Sequence, residues 1–181
     1  MTPNSFQRHS RTMALGGLMA ALSVVILLLG GLIPAATFAC PMLAMLCLLP
    51  VLRECGEKIA LVLYAAVSVL ALLLVADKEL ALFYVFLGYY PILRPRLNKL
   101  PSPLLRILAK CGLFTAATVV MYLLILYLFQ LEAIAAEFAE YSAGFMVLLL
   151  VLGNAVFLLL DQALDRLSMV YDRVLRKKLF H

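Results

Sequence analysis

Tryptophan is missing from this sequence and histidine is nearly so. His9 lies in a polar leader and His181 is the last residue, so neither can join a buried acid–base pair. No phosphate-cradling glycine loop, nucleophile elbow, paired-histidine helix or carboxylate cluster within an apolar run occurs either. A non-enzyme without a cofactor is therefore expected. Charge is scarce too, at 14% of residues against about a quarter in soluble domains. The four cysteines (Cys40, Cys47, Cys55 and Cys111) lack paired metal-ligand spacing and read as small buried side chains. No metal is expected. The net charge of +5 comes without a nucleic-acid-binding motif, which excludes that class of partner.

What the chain has instead is apolar surface, with 66% hydrophobic residues and a mean hydropathy of +1.07. One soluble core cannot hide that much, so membrane lipid is the expected solvent and first partner. Long runs of Leu, Val, Ala and Ile favour helices over the short alternating strands of a barrel. Six such runs occur, at about 13–33, 37–52, 59–76, 80–93, 104–131 and 141–160. The first follows a basic leader, as in a signal peptide, but is long enough to cross a bilayer and is read as a retained helix. The expected fold is an all-α, polytopic membrane bundle of six transmembrane helices over residues 1–160. A basic amphipathic helix is expected over 161–181, on the spacing of Leu164, Leu167, Tyr171 and Val174.

Placing the N-terminus inside puts fourteen of the fifteen lysines and arginines on the cytoplasmic side and leaves Lys78 alone outside. Both termini in the cytoplasm of a multi-pass cell-membrane (inner or plasma membrane) protein is the resulting expectation. Arg173, Arg176, Lys177 and Lys178 at the end of the tail suit an anionic inner leaflet.

Ionisable groups are nearly absent from the six runs, with Asp161 coming closest, which argues against an ion pump. Asn154 is the mid-helix polar residue and is expected to bond across helices. Gly88-Tyr89-Tyr90-Pro91, before a basic loop, reads as an interfacial anchor with a helix-ending proline. On the outward half, Asp77, Lys78, Glu79, Tyr84, Tyr127, Gln130 and Glu132 are enough for a modest solute pocket. In the first run Gly16 and Ala20, and Gly17 and Ala21, are four apart and let a neighbouring helix approach closely.

The opening Arg11-Thr-Met-Ala-Leu-Gly-Gly-Leu-Met-Ala-Ala-Leu-Ser-Val-Val25 resembles the first helix of S components, the substrate-binding membrane subunits of energy-coupling-factor transporters. Size, helix number and short loops are similar as well. The resemblance implies capture of a small solute, a vitamin or micronutrient, for an ATP-driven bacterial importer. The partners it implies are a transmembrane coupling protein and a cytoplasmic ATPase pair, the former docked on Gly17 and Ala21 with Gly16 and Ala20 beside them. The alternative is a non-catalytic membrane scaffold or assembly protein, comparable in size to rod-shape-determining membrane proteins.

Overall fold

The computed structural model describes residues 3–33, 36–129 and 143–171. Among them the regular structure is helical, with no strand. Helix α1 spans Pro3–Gly30, α2 Ala39–Leu46, α3 Leu48–Glu54, α4 Glu57–Leu74, α5 Lys78–Leu87 and α6 Tyr90–Leu97. Helix α7 spans Pro103–Leu124 and continues as a π-helical turn over Ile125–Phe129, and α8 spans Ala143–Val170. The chain divides into two compact units, Met1–Pro95 and Arg96–His181.

Among the described residues four helices are long and apolar enough to cross a membrane. Their apolar stretches are Thr12–Gly30, Glu57–Leu74, Pro103–Tyr127 and Gly144–Val170, with mean hydropathies of 2.4, 2.1, 1.9 and 2.3. They carry most of the exposed large apolar side chains, such as Leu22, Leu29, Val62, Leu73, Leu108, Val151 and Leu159. In water such a surface would drive aggregation, whereas lipid accepts it.

The remaining two expected spans are broken. The run at 37–52 forms α2 and α3, which meet at Cys47. The run at 80–93 forms α5 and the first part of α6, with Gly88 and Tyr89 between. Proline is the cause in both. Pro50 has no N–H for the Leu46 carbonyl four residues back, and Pro91 has none for that of Leu87; each ring also crowds that carbonyl. These broken helices are the most buried in the first unit. Leu80, Ala81, Phe83, Tyr84 and Tyr90 are at most 1% exposed, and none of the exposed large apolar residues falls within Lys78–Leu97. Fully buried Ala44, Ala60, Ala71 and Ala81 let the helices of this unit approach closely.

The first unit is built from two copies of one motif, a long helix followed by a proline-broken one. Leu46-Cys47-Leu48-Leu49-Pro50-Val51-Leu52-Arg53 matches Leu87-Gly88-Tyr89-Tyr90-Pro91-Ile92-Leu93-Arg94, at an offset of 41 residues. The geometry repeats at the same offset. Ser23 on α1 donates to the Ala44 carbonyl at 3.4 Å, and Tyr64 on α4 donates to the Val85 carbonyl. Ser23 plus the offset is Tyr64, and Ala44 plus the offset is Val85. Equivalent helices also pack on each other, α1 on α4 and α2 on α5. Between the copies Gly56 turns the chain at φ 88° and ψ 173°, a conformation open in practice only to glycine.

In the second unit α7 and α8 pair antiparallel, as Lys110 with Asp161, Phe114 with Phe157 and Thr115 with Asn154 show. The buried residues Phe157, Asp161, Leu164, Ser168 and Tyr171 alternate at four- and three-residue spacing. Helix α8 passes Asp161 without a break. Within the expected tail Leu164 and Tyr171 are buried and Leu167 is exposed, while Val174 and the basic end lie outside the described residues.

A Cβ added at Gly30 would fall 2.5 Å from the Cys40 Cβ and 2.7 Å from a Leu80 methyl. Gly30→Ala is expected to cost about 1–3 kcal/mol by overpacking. Gly17→Ala, with nothing within 4 Å of the added carbon, is expected to leave stability unchanged or slightly raised. Thermal melting in detergent checks the contrast.

Candidate functional site

Polar side chains in the first unit gather around the two helix breaks. Ser23 comes from α1 and is fully buried; it donates to the Met19 carbonyl at 2.9 Å as well as to Ala44, and lies beside Cys47 at the α2–α3 junction. Tyr84, on α5, lies near both Cys47 and Tyr64. The Tyr64 ring is 6.0 Å from the rings of Tyr84, before the α5–α6 break, and Tyr89, within it. Gly88 fits there because a Cβ would press on the Tyr84 carbonyl and on the Tyr64 and Tyr84 rings. Among the buried hydroxyls of this unit's described residues, Tyr84 has no hydrogen-bond partner, and Ser68 lies against the Tyr64 hydroxyl one turn away. A buried hydroxyl left without a partner costs about 1–3 kcal/mol. All four cysteines are free thiols. At the α3–α4 turn, partial burial holds the Cys55 thiol above its usual range, while the Thr12 side chain opposes the shift.

The outward residues expected to bind solute are distributed differently. Asp77 caps α5, accepting from the Glu79 and Leu80 amides at 3.0 and 3.2 Å, and accepts from the Thr37 hydroxyl at 3.4 Å. Lys78 caps the end of α4, donating to the Leu72 and Val75 carbonyls at 2.9 Å each. Glu79 is half-buried in the first turn of α5. Tyr84 is fully buried. Tyr127 belongs to the second unit and is 79% exposed, and Gln130 and Glu132 lie outside the described residues. On α1, Gly16 faces Leu63 of α4 and Ala20 is half-buried, whereas Gly17 and Ala21 are exposed.

The second unit holds a polar seam of its own. Lys110 and Asp161 form an ion pair at 2.5 Å, with side chains 8% and 10% exposed. Lys110 stands seven residues into α7, about 10 Å along its axis. Sequence reading assigned it to a cytoplasmic loop and found the spans nearly free of ionisable groups, so this pair was missed. The signal was available, since Lys110 falls inside the apolar run at 104–131. Farther along the seam Asn154 donates to the Thr115 hydroxyl at 3.1 Å and to the Leu150 carbonyl at 2.9 Å. The Asn154 side-chain oxygen and the Thr118 hydroxyl are buried without partners.

No protein-family model, curated protein or solved structure matches the chain.

Removing one partner of a buried ion pair strands the other charge. Asp161→Met or Lys110→Met alone is expected to cost about 3–5 kcal/mol, and the two changes together to recover most of it. A double-mutant cycle on melting in detergent measures the coupling. Additive single effects would show that the pair holds nothing together.

Proposed function

We propose that the chain is a non-catalytic, solute-binding membrane subunit, similar to S components, that serves an ATP-driven importer. The observation that carries the reading is the pair of proline-broken helices at equivalent positions of two repeated hairpins. Irregular backbone within a bilayer survives only where protein or a cavity surrounds it, and paired interruptions of this kind mark solute sites in transporters. In this reading α2–α3 and α5–α6 complete six crossings, both termini are cytoplasmic, and the membrane is the bacterial cell membrane. Along its helical path α5–α6 spans 20 residues, about 30 Å, enough for one crossing.

The chain leaves energy supply to other subunits: a transmembrane coupling protein and two cytoplasmic ATPases. The exposed Gly17 and Ala21 offer that coupling protein a strip where a helix backbone can approach closely. The competing reading is a membrane scaffold. Engagement of Asp77 and Lys78 in helix caps favours it, because it removes two charges from an outward pocket.

Purification of the tagged chain from its native membrane separates the two. Capture of a coupling protein with an ATPase pair is expected, with insertion unchanged but capture lost in Gly17→Leu and Ala21→Leu. Recovery without ATPases, or with cell-envelope assembly proteins instead, contradicts the importer reading.

A further inference from the structure

The two turns that the charge pattern assigns to one side of the membrane differ in balance. The turn between α3 and α4 carries Arg53 and Lys58 together with Glu54 and Glu57, so its charge sums to zero. From Leu80 to Leu131 the chain has no Asp or Glu, yet Arg94, Arg96, Lys99, Arg106 and Lys110 fall in and around the α6–α7 connection. Sorting of basic residues to one side does not require this, because acids count for little in it. Lys110 is neutralised by Asp161, and Arg94 and Arg96 are engaged. Lys99 and Arg106 form no ion pair among the described residues. The fold nevertheless draws these two cations together. Arg106 stands in the first turn of α7, half-buried, and its Nε–H turns back to donate to the Leu100 carbonyl at 2.7 Å. That bond holds the guanidinium against the residue next to Lys99 and fixes one rotamer of a long side chain. Like charges so gathered repel each other until an anion joins them.

We infer that Lys99 and Arg106 hold the phosphate of an anionic phospholipid in the leaflet that α7 enters. The Arg106 Nε is occupied, but its terminal nitrogens remain, and their N–H groups match phosphate oxygens. Exposed Lys99 adds a mobile ammonium beside them. Apolar surface adjoins the pair, since the α7 span begins at Pro103 and Leu104, Leu105 and Leu108 are exposed. A ligand that satisfies both is anionic at one end and apolar at the other, with acyl chains along the leucines. Free phosphate would leave the leucines unmatched, and a zwitterionic headgroup brings its own cation and gains less. The inference goes beyond the importer reading and holds for a scaffold as well.

The test releases the purified full-length chain from vesicles of equal parts phosphatidylcholine and phosphatidylglycerol and identifies the lipids it retains by native mass spectrometry. Preferential retention of phosphatidylglycerol is expected, and Lys99→Gln and Arg106→Gln are each expected to lower that preference about fivefold. Lys58→Gln, at the balanced turn, is expected to leave it unchanged. Lys99→Gln replaces an exposed side chain and is expected to melt with the wild type, which separates lost lipid from lost fold. Equal retention of the two lipids overturns the inference. So does an equal loss in Lys58→Gln, which would mean general attraction to a charged surface. Displacement of the lipid by millimolar glycerol phosphate would assign the cations to a soluble phosphate and overturn the lipid as ligand.

Discussion

In hydrocarbon a backbone carbonyl that loses its helical partner has no water to turn to, and this constraint organises the first unit. Pro50 and Pro91 each remove a donor from the middle of an apolar helix. The long helices α1 and α4 tolerate apolar exposure because their backbone bonds close within themselves. The broken helices do not, and they are accordingly buried. Ser23 and Tyr64 hold the broken helices to the long ones in the same way, each donating across to a carbonyl two residues before the one the proline strips. Small residues at the crossings then follow, since Gly30, Ala44, Ala60, Ala71 and Ala81 allow the approach that such burial demands.

The second unit meets a related constraint with charge. Lys110 and Asp161 lie within long apolar helices, where a lone charge would be expensive, and each neutralises the other. Asn154 and Thr115 extend the polar contact by two turns. Polar residues on α8 recur every seven positions at Asn154, Asp161 and Ser168, with Phe157, Leu164 and Tyr171 between them. Such a seam fixes the register of the hairpin more sharply than leucines against leucines, because a slip would leave polar groups facing lipid.

Composition made the helical, membrane-embedded class legible, and run length located the four long helices, although α1 begins ten residues before its run at 13–33 and α8 continues ten residues past residue 160. The prolines were visible as well, but their positions near the ends of the runs suggested termination and not interruption. Whether Pro91 stops a helix or breaks it depends on what packs around Tyr89 and Tyr90, which is a tertiary matter. The repeat was harder to see. Its shared residues are few and common, and the positions where the copies differ most, Leu27 against Ser68 and Leu43 against Tyr84, are those that set the second copy apart. Asp77 and Lys78 looked like pocket residues because exposed charge in a loop carries no sign of the helix end it will cap. Lys110 was counted with the loop charges because topology rules sort basic residues by side and say nothing of their partners.

The account centres on burial of the proline-broken helices within the bundle, away from lipid. Spin labels scanned along α5 and α6 in a bilayer test this most directly. The account predicts little access of membrane-dissolved oxygen to labels at Leu80, Phe83 and Tyr90, and high access at Leu29, Val62 and Leu73. Equal oxygen access at the two sets would contradict it.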